Sequence, residues 1–208
     1  GNLAVGVFLD LKKAFDVCDH SILLSKLKRY GINDNTLDWF TSYLTGRKQV
    51  VDIAGHLSSP QHLDISTIQG SLLGPILFLI YINDFPNFTT LDSFLFADDT
   101  TSLITGPNLP DLINTVNTEL KKMSTWFRAI KMALNVSKTK YMIFHNKGKK
   151  IDLQGLSIYI DENTDTNTDT SKIHHIERIH NKNLNTSDRA FKLLGVHLDE
   201  NLNFNSHI

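Results

Sequence analysis

Apolar positions along this chain follow two rhythms, and their alternation predicts strands interleaved with helices. Residues 3–10 form an apolar, β-branched run that closes on an acid, as a central strand does. Asp19 is placed to cap a helix running to Tyr30, with Ile22, Leu23 and Leu27 on one face and Gly31 as its stop. Asn33 or Asn35 starts a second helix that carries Leu37, Trp39, Phe40, Tyr43 and Leu44 and ends before Gly46. Residues 49–53 and 63–68 alternate and are expected to pair as antiparallel strands, after which Gly70 opens a helix to about Asn83.

Residues 93–104 are apolar, then Asp98-Asp99, then apolar again, the pattern of a tight hairpin with acids at its turn. From Asn108 the spacing predicts a long amphipathic helix, with Leu109, Leu112, Ile113, Val116, Leu120, Met123, Phe127 and Ile130 on one face and Pro110 near its start. Residues 141–144 read as a short strand. The polar tract 161–170 (DENTDTNTDT) has no hydrophobic period and reads as a mobile loop, and residues 190–198 read as a hairpin strand. The fold class is therefore α+β with an antiparallel sheet.

Composition narrows this picture only a little. At 208 residues the chain is long enough for one large domain, and 41% hydrophobic with 21% charged residues is ordinary for a globular protein. A net charge of −1 gives no support to a strongly basic nucleic-acid binder, although an acidic metal site can offset basic grooves. The single cysteine, Cys18, excludes a disulfide framework and a cysteine zinc site. The most apolar run, residues 72–82, is half of the roughly 20 residues a membrane-spanning helix needs, and no signal peptide is evident. An intracellular setting, cytoplasm and nucleus, is the expectation. The chain starts at Gly1 rather than Met and stops after an apolar–polar run, so both ends read as cuts through a longer polypeptide.

Three carboxylates at two strand ends carry the chemistry. Asp10 closes the first strand, and Asp98 with Asp99 occupies the later turn. Gathering like charges costs free energy unless a cation sits among them. Mg²⁺ suits such a site, since it binds a few carboxylate oxygens together with substrate phosphates. Asp-Asp is also a common turn pair, so the acids gain meaning from their neighbours.

Phe8-Leu9-Asp10-Leu11-Lys12-Lys13-Ala14-Phe15-Asp16, Gln69-Gly70-Ser71-Leu72-Leu73-Gly74-Pro75 and Phe96-Ala97-Asp98-Asp99-Thr100 stand in this order. Together they resemble the three central motifs of reverse transcriptases, most closely those of non-LTR (LINE-type) retrotransposons. Leu134-Asn135-Val136-Ser137-Lys138-Thr139, followed by Tyr141-Met142-Ile143-Phe144, is similar to the family's next motif. Lys192-Leu193-Leu194-Gly195-Val196 is similar to its primer grip. One departure stands out: Ser66-Thr67-Ile68 precedes Gln69 where the family pattern favours Gly, Val, Pro.

The resemblance implies a right-hand polymerase palm, an antiparallel sheet packed on helices, with most of the fingers and the thumb lying outside this chain. Residues 1–145 would be the palm, 146–189 a polar loop or insertion, and 190–208 a primer-grip-like hairpin at the palm–thumb boundary. The implied activity is RNA-directed DNA polymerisation, adding deoxynucleotides to a primer 3′-hydroxyl with two Mg²⁺ ions, for which Mn²⁺ can substitute. RNA template, DNA primer and deoxynucleoside triphosphates are the implied partners, with no membrane; the oligomeric state is not indicated. Carried over residue by residue, Asp10, Asp98 and Asp99 would hold metal, assisted by the Leu11 carbonyl. Phe15 would test the sugar for a 2′-hydroxyl, Gln69 and Gly70 would lie beneath the nucleotide and template base, and Lys138 would serve the leaving pyrophosphate. Alternatives stand beside this: an inactive or co-opted palm remnant that binds RNA or protein, or a group II intron-type enzyme.

Basic residues cluster at Lys26, Lys28 and Arg29, at Arg47 and Lys48, at Lys121 and Lys122, and at Lys147, Lys149 and Lys150; some are expected on template or primer phosphates and most on solvated faces. His174, His175 and His180 have metal-ligand spacing but no cysteine partner, which argues against zinc.

Overall fold

In the computed structural model, residues 2–68, 70–162, 172–179 and 191–202 are described. Thirteen strands and four α-helices make up this part of the chain. Leu3–Leu9 forms β1, followed by α1 (His20–Arg29) and α2 (Asp34–Leu44). Two short ribbons come next, β2 (Arg47–Gln49) pairing β5 (Gln61–Leu63) and β3 (Asp52–Ile53) pairing β4 (His56–Leu57). α3 (Leu73–Ile82) leads to β6 (Asp92–Phe96), β7 (Asp99–Gly106), the long α4 (Leu109–Ala129) and β8 (Lys140–Phe144). β9 (Tyr159–Glu162), β10 (Lys172–His175), β11 (Glu177–Ile179) and the hairpin of β12 (Phe191–Leu193) with β13 (Val196–Leu198) complete it.

The central sheet has the order β11-β8-β1-β7-β6, antiparallel except for the β11–β8 edge pair. Alternation along β1 sorts its side chains between two faces. Leu3, Val5, Val7 and Leu9 join Tyr141, Ile143 and the apolar faces of α1, α3 and α4 in the main core. Phe8 lies on the opposite face with Met142 and Ile179, and there the β12–β13 hairpin packs onto the sheet through Phe191 and Leu193. The rings of Phe8 and Phe191 lie 4.3 Å apart. One face of the sheet is thus closed by helices and part of the other by a hairpin, an α+β arrangement.

The predicted helices are observed, three close to their expected bounds, while the one expected to open at Gly70 begins at Leu73, after a turn closed by Ser71. The strand pair expected from residues 49–53 and 63–68 is different: Arg47–Gln49 pairs Gln61–Leu63, and residues 52–57 fold into their own hairpin. Asp52 explains the difference, because its carboxylate accepts from Gly55 N–H and folds the chain back early. Residues beyond Leu63 leave the ribbon to pair with the loop after β1. There Ser66 N–H donates to the Cys18 carbonyl and Thr67 N–H to the Phe15 carbonyl. The described residues of the segment expected as a polar loop include strands. β9 pairs β10, β11 adds a fifth strand to the sheet, and Ile158, Ile160 and Ile176 are buried in the core. The tract 163–171, His180 and Gln69 lie outside the described residues.

Candidate active site

The β1–β7 ladder sets the site. Leu9 pairs Thr100, so the chain leaves β1 with Asp10 level with Asp99, the first residue of β7. Asp99 lies on the face of Phe8 and away from the helices, since the alternating Thr100 and Ser102 are buried beneath it. Between Phe96 and Asp99 a two-residue turn, Ala97-Asp98, closes the hairpin. Ala97 takes φ 52°, a left-handed conformation that costs a Cβ-bearing residue roughly 1–2 kcal/mol. The tight turn holds Asp98 beside Asp99. The Asp99 carboxyl is pushed above the ordinary carboxylate range by partial desolvation, then by the charges of Asp98 and Asp10. The charges of Asp98 and Asp10 are thus both felt at Asp99.

After Asp10 the chain leaves β7 and crosses to the loop before β8. Asn135 N–H donates to the Asp10 carbonyl (2.8 Å) and Lys12 N–H to the Ala133 carbonyl (2.9 Å), around a bridge between Leu11 and Leu134. Asp10 N–H donates to Oγ1 of the buried Thr139 (3.3 Å). Asn135 also organises the turn that carries Lys138, accepting from the N–H groups of Lys138 and Thr139. Lys138 is exposed there, on the segment that grips Asp10. The backbone partner Thr139 was not singled out by sequence; its place in the Asn135–Thr139 motif is the one signal that marks it.

Phe15 sits half-buried in a short 3₁₀ turn (Ala14–Asp16), its ring 4.4 Å from that of the fully buried Phe78 on α3. Its carbonyl accepts from both Thr67 N–H (2.9 Å) and Thr67 Oγ1 (3.3 Å). These bonds tie the loop before α3 to the segment after β1. Ser66 adopts φ 92° at the position where the family favours glycine, so the departure noted above places a side chain in a strained conformation. Gly70, exposed at φ 81°, has open space where a Cβ would stand. Ser71 Oγ donates to the Ile68 carbonyl (2.7 Å) and accepts from Gly74 N–H (2.9 Å). Gly74 itself approaches so closely that a Cβ there would meet the Ile68 oxygen at 2.8 Å.

Several expected cations have other work. Lys26 is buried, donating to the Tyr81 carbonyl (2.6 Å) and pairing with Asp84, while Lys122 pairs with Glu119 (2.7 Å). Among the described residues no group of three or more His, Cys, Asp or Glu side chains is arranged to hold a metal ion by itself, His174 and His175 included. Asp10, Asp98 and Asp99 are not such a group either, although their carboxylate oxygens are the donor type a hard cation prefers. Two or three carboxylate oxygens in mutual repulsion accept Mg²⁺ when substrate phosphates complete the coordination. No helix among the described residues is long and apolar enough to cross a membrane.

An α+β sheet with three acids at the ends of its central strands defines a class, and comparison with known proteins gives the family. The reverse transcriptase (RNA-dependent DNA polymerase) family model matches residues 1–198. The chain belongs to that family. It is 27% identical over 213 residues to the RNA-directed DNA polymerase from mobile element jockey of Drosophila melanogaster, covering 99% of this chain and 20% of that protein. It is 26% identical over 207 residues to the probable RNA-directed DNA polymerase from transposon X-element of the same fly, with 97% and 20% covered. The chain thus spans about a fifth of the length of these relatives. Among solved structures, telomerase from Candida albicans aligns with a TM-score of 0.48 and 16% identity, over 80% of this chain and 32% of that one.

Proposed function

We propose that this chain is the palm of an RNA-directed DNA polymerase from a non-LTR (LINE-type) retrotransposon. In this reading it adds deoxynucleotides to a primer 3′-hydroxyl on an RNA template. The observation that carries the proposal is the register placing Asp10 level with Asp99, whose carboxyl feels both Asp98 and Asp10. Asp10 and Asp98 are the principal ligands for two divalent ions, with Asp99 completing the acidic set. The bridge to Leu134 uses the Asp10 carbonyl and the Lys12 amide but not the Leu11 carbonyl, which supports Leu11 as a further oxygen donor. Divalent ions bound there would activate the attacking 3′-hydroxyl and stabilise the leaving pyrophosphate.

The remaining roles belong to the protein. Phe15, braced by Phe78, presents a flat side chain beneath the incoming sugar, where the 2′-hydroxyl is the feature that separates ribonucleotide from deoxyribonucleotide. Gln69 and Gly70 lie beneath the nucleotide and template base, and the missing Cβ of Gly70 leaves room for close approach. Lys138, exposed on the segment that grips Asp10, gives a proton or a positive charge to the pyrophosphate.

The test is primer extension on an RNA template by the chain within its parent polypeptide. Extension is expected with Mg²⁺ or Mn²⁺ and none with EDTA. In the same assay Phe15→Val should raise ribonucleotide use while leaving most deoxynucleotide use. Wild-type protein that holds primer–template yet extends nothing with any divalent ion would make it an inactive remnant. Parallel loss of both nucleotide classes in Phe15→Val would make Phe15 structural.

A further inference from the structure

A groove of about 1100 Å³ runs between α1 and α4, on the helical side of the sheet, across from the face that carries Asp99. Each wall is one straight helical stripe. Ser21, Ser25 and Arg29 line it from α1, and Lys121, Thr125 and Ala129 from α4, all at i, i+4, i+8 spacing. Ser21 and Ser25 on one stripe and Thr125 and Ala129 on the other are small, which leaves space between the larger side chains at the ends. At its floor lie only the edges of Trp126 and Ile130, which are buried in the main core, with Phe88 half exposed beside them.

The charges of the groove are unevenly settled. Lys26 is neutralised by Asp84 and Lys122 by Glu119. Arg29 and Lys121 are exposed and have no ion-pair partner among the described residues. Two unmatched cations therefore stand over an apolar trough. Its volume lies at the upper end of the roughly 300–1000 Å³ of small-molecule pockets, and it is open along its length. A nucleic-acid backbone would match the cations but waste the apolar floor.

We propose that this groove docks an acidic amphipathic helix of a protein partner. Such a helix would set its apolar stripe on Phe88, Ala129 and the exposed edge of Trp126 and its carboxylates against Arg29 and Lys121, the groove-binding mode in which anchors recur at i, i+3/i+4 and i+7. The α4 wall from Thr118 to Ala129 matches about three turns, at roughly 1.5 Å per residue. The proposal is independent of the polymerase reading, because no residue of the acidic site takes part.

The test is selection of a random 16-residue peptide library, displayed on phage, against the 208-residue chain, with fluorescence titration of the enriched peptides. Enriched sequences are expected to combine Asp or Glu with large apolar residues at helical spacing. Their affinity should fall at least about tenfold in Arg29→Glu and Lys121→Glu. It should hold in Lys28→Glu, whose site is exposed on α1 outside the groove. Circular dichroism checks that each variant folds, and Arg29→Ala with Lys121→Ala replaces any reversal that does not. Enriched peptides without acids, or peptides indifferent to both substitutions, would overturn the proposal. So would a labelled single-stranded RNA 12-mer whose binding the same two substitutions abolish, since the groove would then be a nucleic-acid surface.

Discussion

Asp19 carries more of the fold than its place at a helix start implies. Its carboxylate accepts from Ile22 N–H (3.1 Å) as the N-cap of α1, and from Lys131 Nζ (2.5 Å) just past the end of α4. Its own N–H donates to Tyr81 Oη (3.2 Å), which in turn donates to the Ile130 carbonyl (2.6 Å). One buried acid thus joins three helices. Burial alone would raise its pKa, but hydrogen bonds from Lys131, Ser21 and Ile22 and the Lys131 charge win, lowering it from 3.8 to about 2. A carboxyl depressed by folding stabilises the protein above its unfolded pKa and stops doing so as pH falls through the folded one. The contribution, roughly 2 kcal/mol, should be complete above about pH 4 and lost between there and about pH 2. Urea unfolding of wild type and Asp19→Asn checks this: the gap between them should close across that window, and a gap independent of pH contradicts it. Thr139 is the second residue of this kind. Thr139→Val keeps the shape but removes the acceptor for Asp10 N–H, so single-turnover extension should slow about tenfold with the fold intact, and Thr139→Ser should restore most of it. Equal rates for all three proteins would show that Asp10 needs no such support.

Elements were legible where one period dominates. The long α4 repeats its apolar residues over 21 positions, and β1 is apolar throughout because both of its faces are covered. Short strands were harder to see. The β2–β5 pairing depends on where Asp52 turns the chain, and β11 joins the sheet through only three residues, a strand too short for alternation to register. The loop before α3 was legible as a motif but not as a geometry. Its position rests on Gly74, whose missing side chain lets α3 reach the Ile68 carbonyl. In Gly74→Ala the added Cβ meets backbone at 2.8 Å, so the loop bearing Gly70 must shift. Deoxynucleotide KM should rise at least about tenfold while the circular dichroism spectrum holds. An unchanged KM would mean the loop does not set nucleotide binding.

At the scale of the whole molecule, the site is a product of topology. Asp10 and Asp98 are far apart in sequence, and neither the alternation of β1 nor the turn at Ala97 alone says that they meet. The order β8-β1-β7-β6 brings Asp10 level with Asp99, the neighbour of Asp98, with the Asn135 segment holding Asp10 from one side. The motif order names the three acids, and the register Leu9↔Thr100 supplies the part of the geometry that relates Asp10 to Asp99. The same sheet separates the two, with Asp99 toward one face and the helices of the α1–α4 groove on the other.

The most direct test of the account is the single-turnover rate of primer extension by Asp98→Asn, measured on an RNA template at saturating Mg²⁺ in the chain joined to the flanking segments of a full-length relative. Asn preserves the size of the side chain and removes the charge, and relief of repulsion at Asp99 should leave the fold as stable as before or more so. The predicted result is unchanged primer–template binding with a rate at least about a thousandfold lower. Extension by Asp98→Asn at the wild-type rate would contradict it and move the site elsewhere.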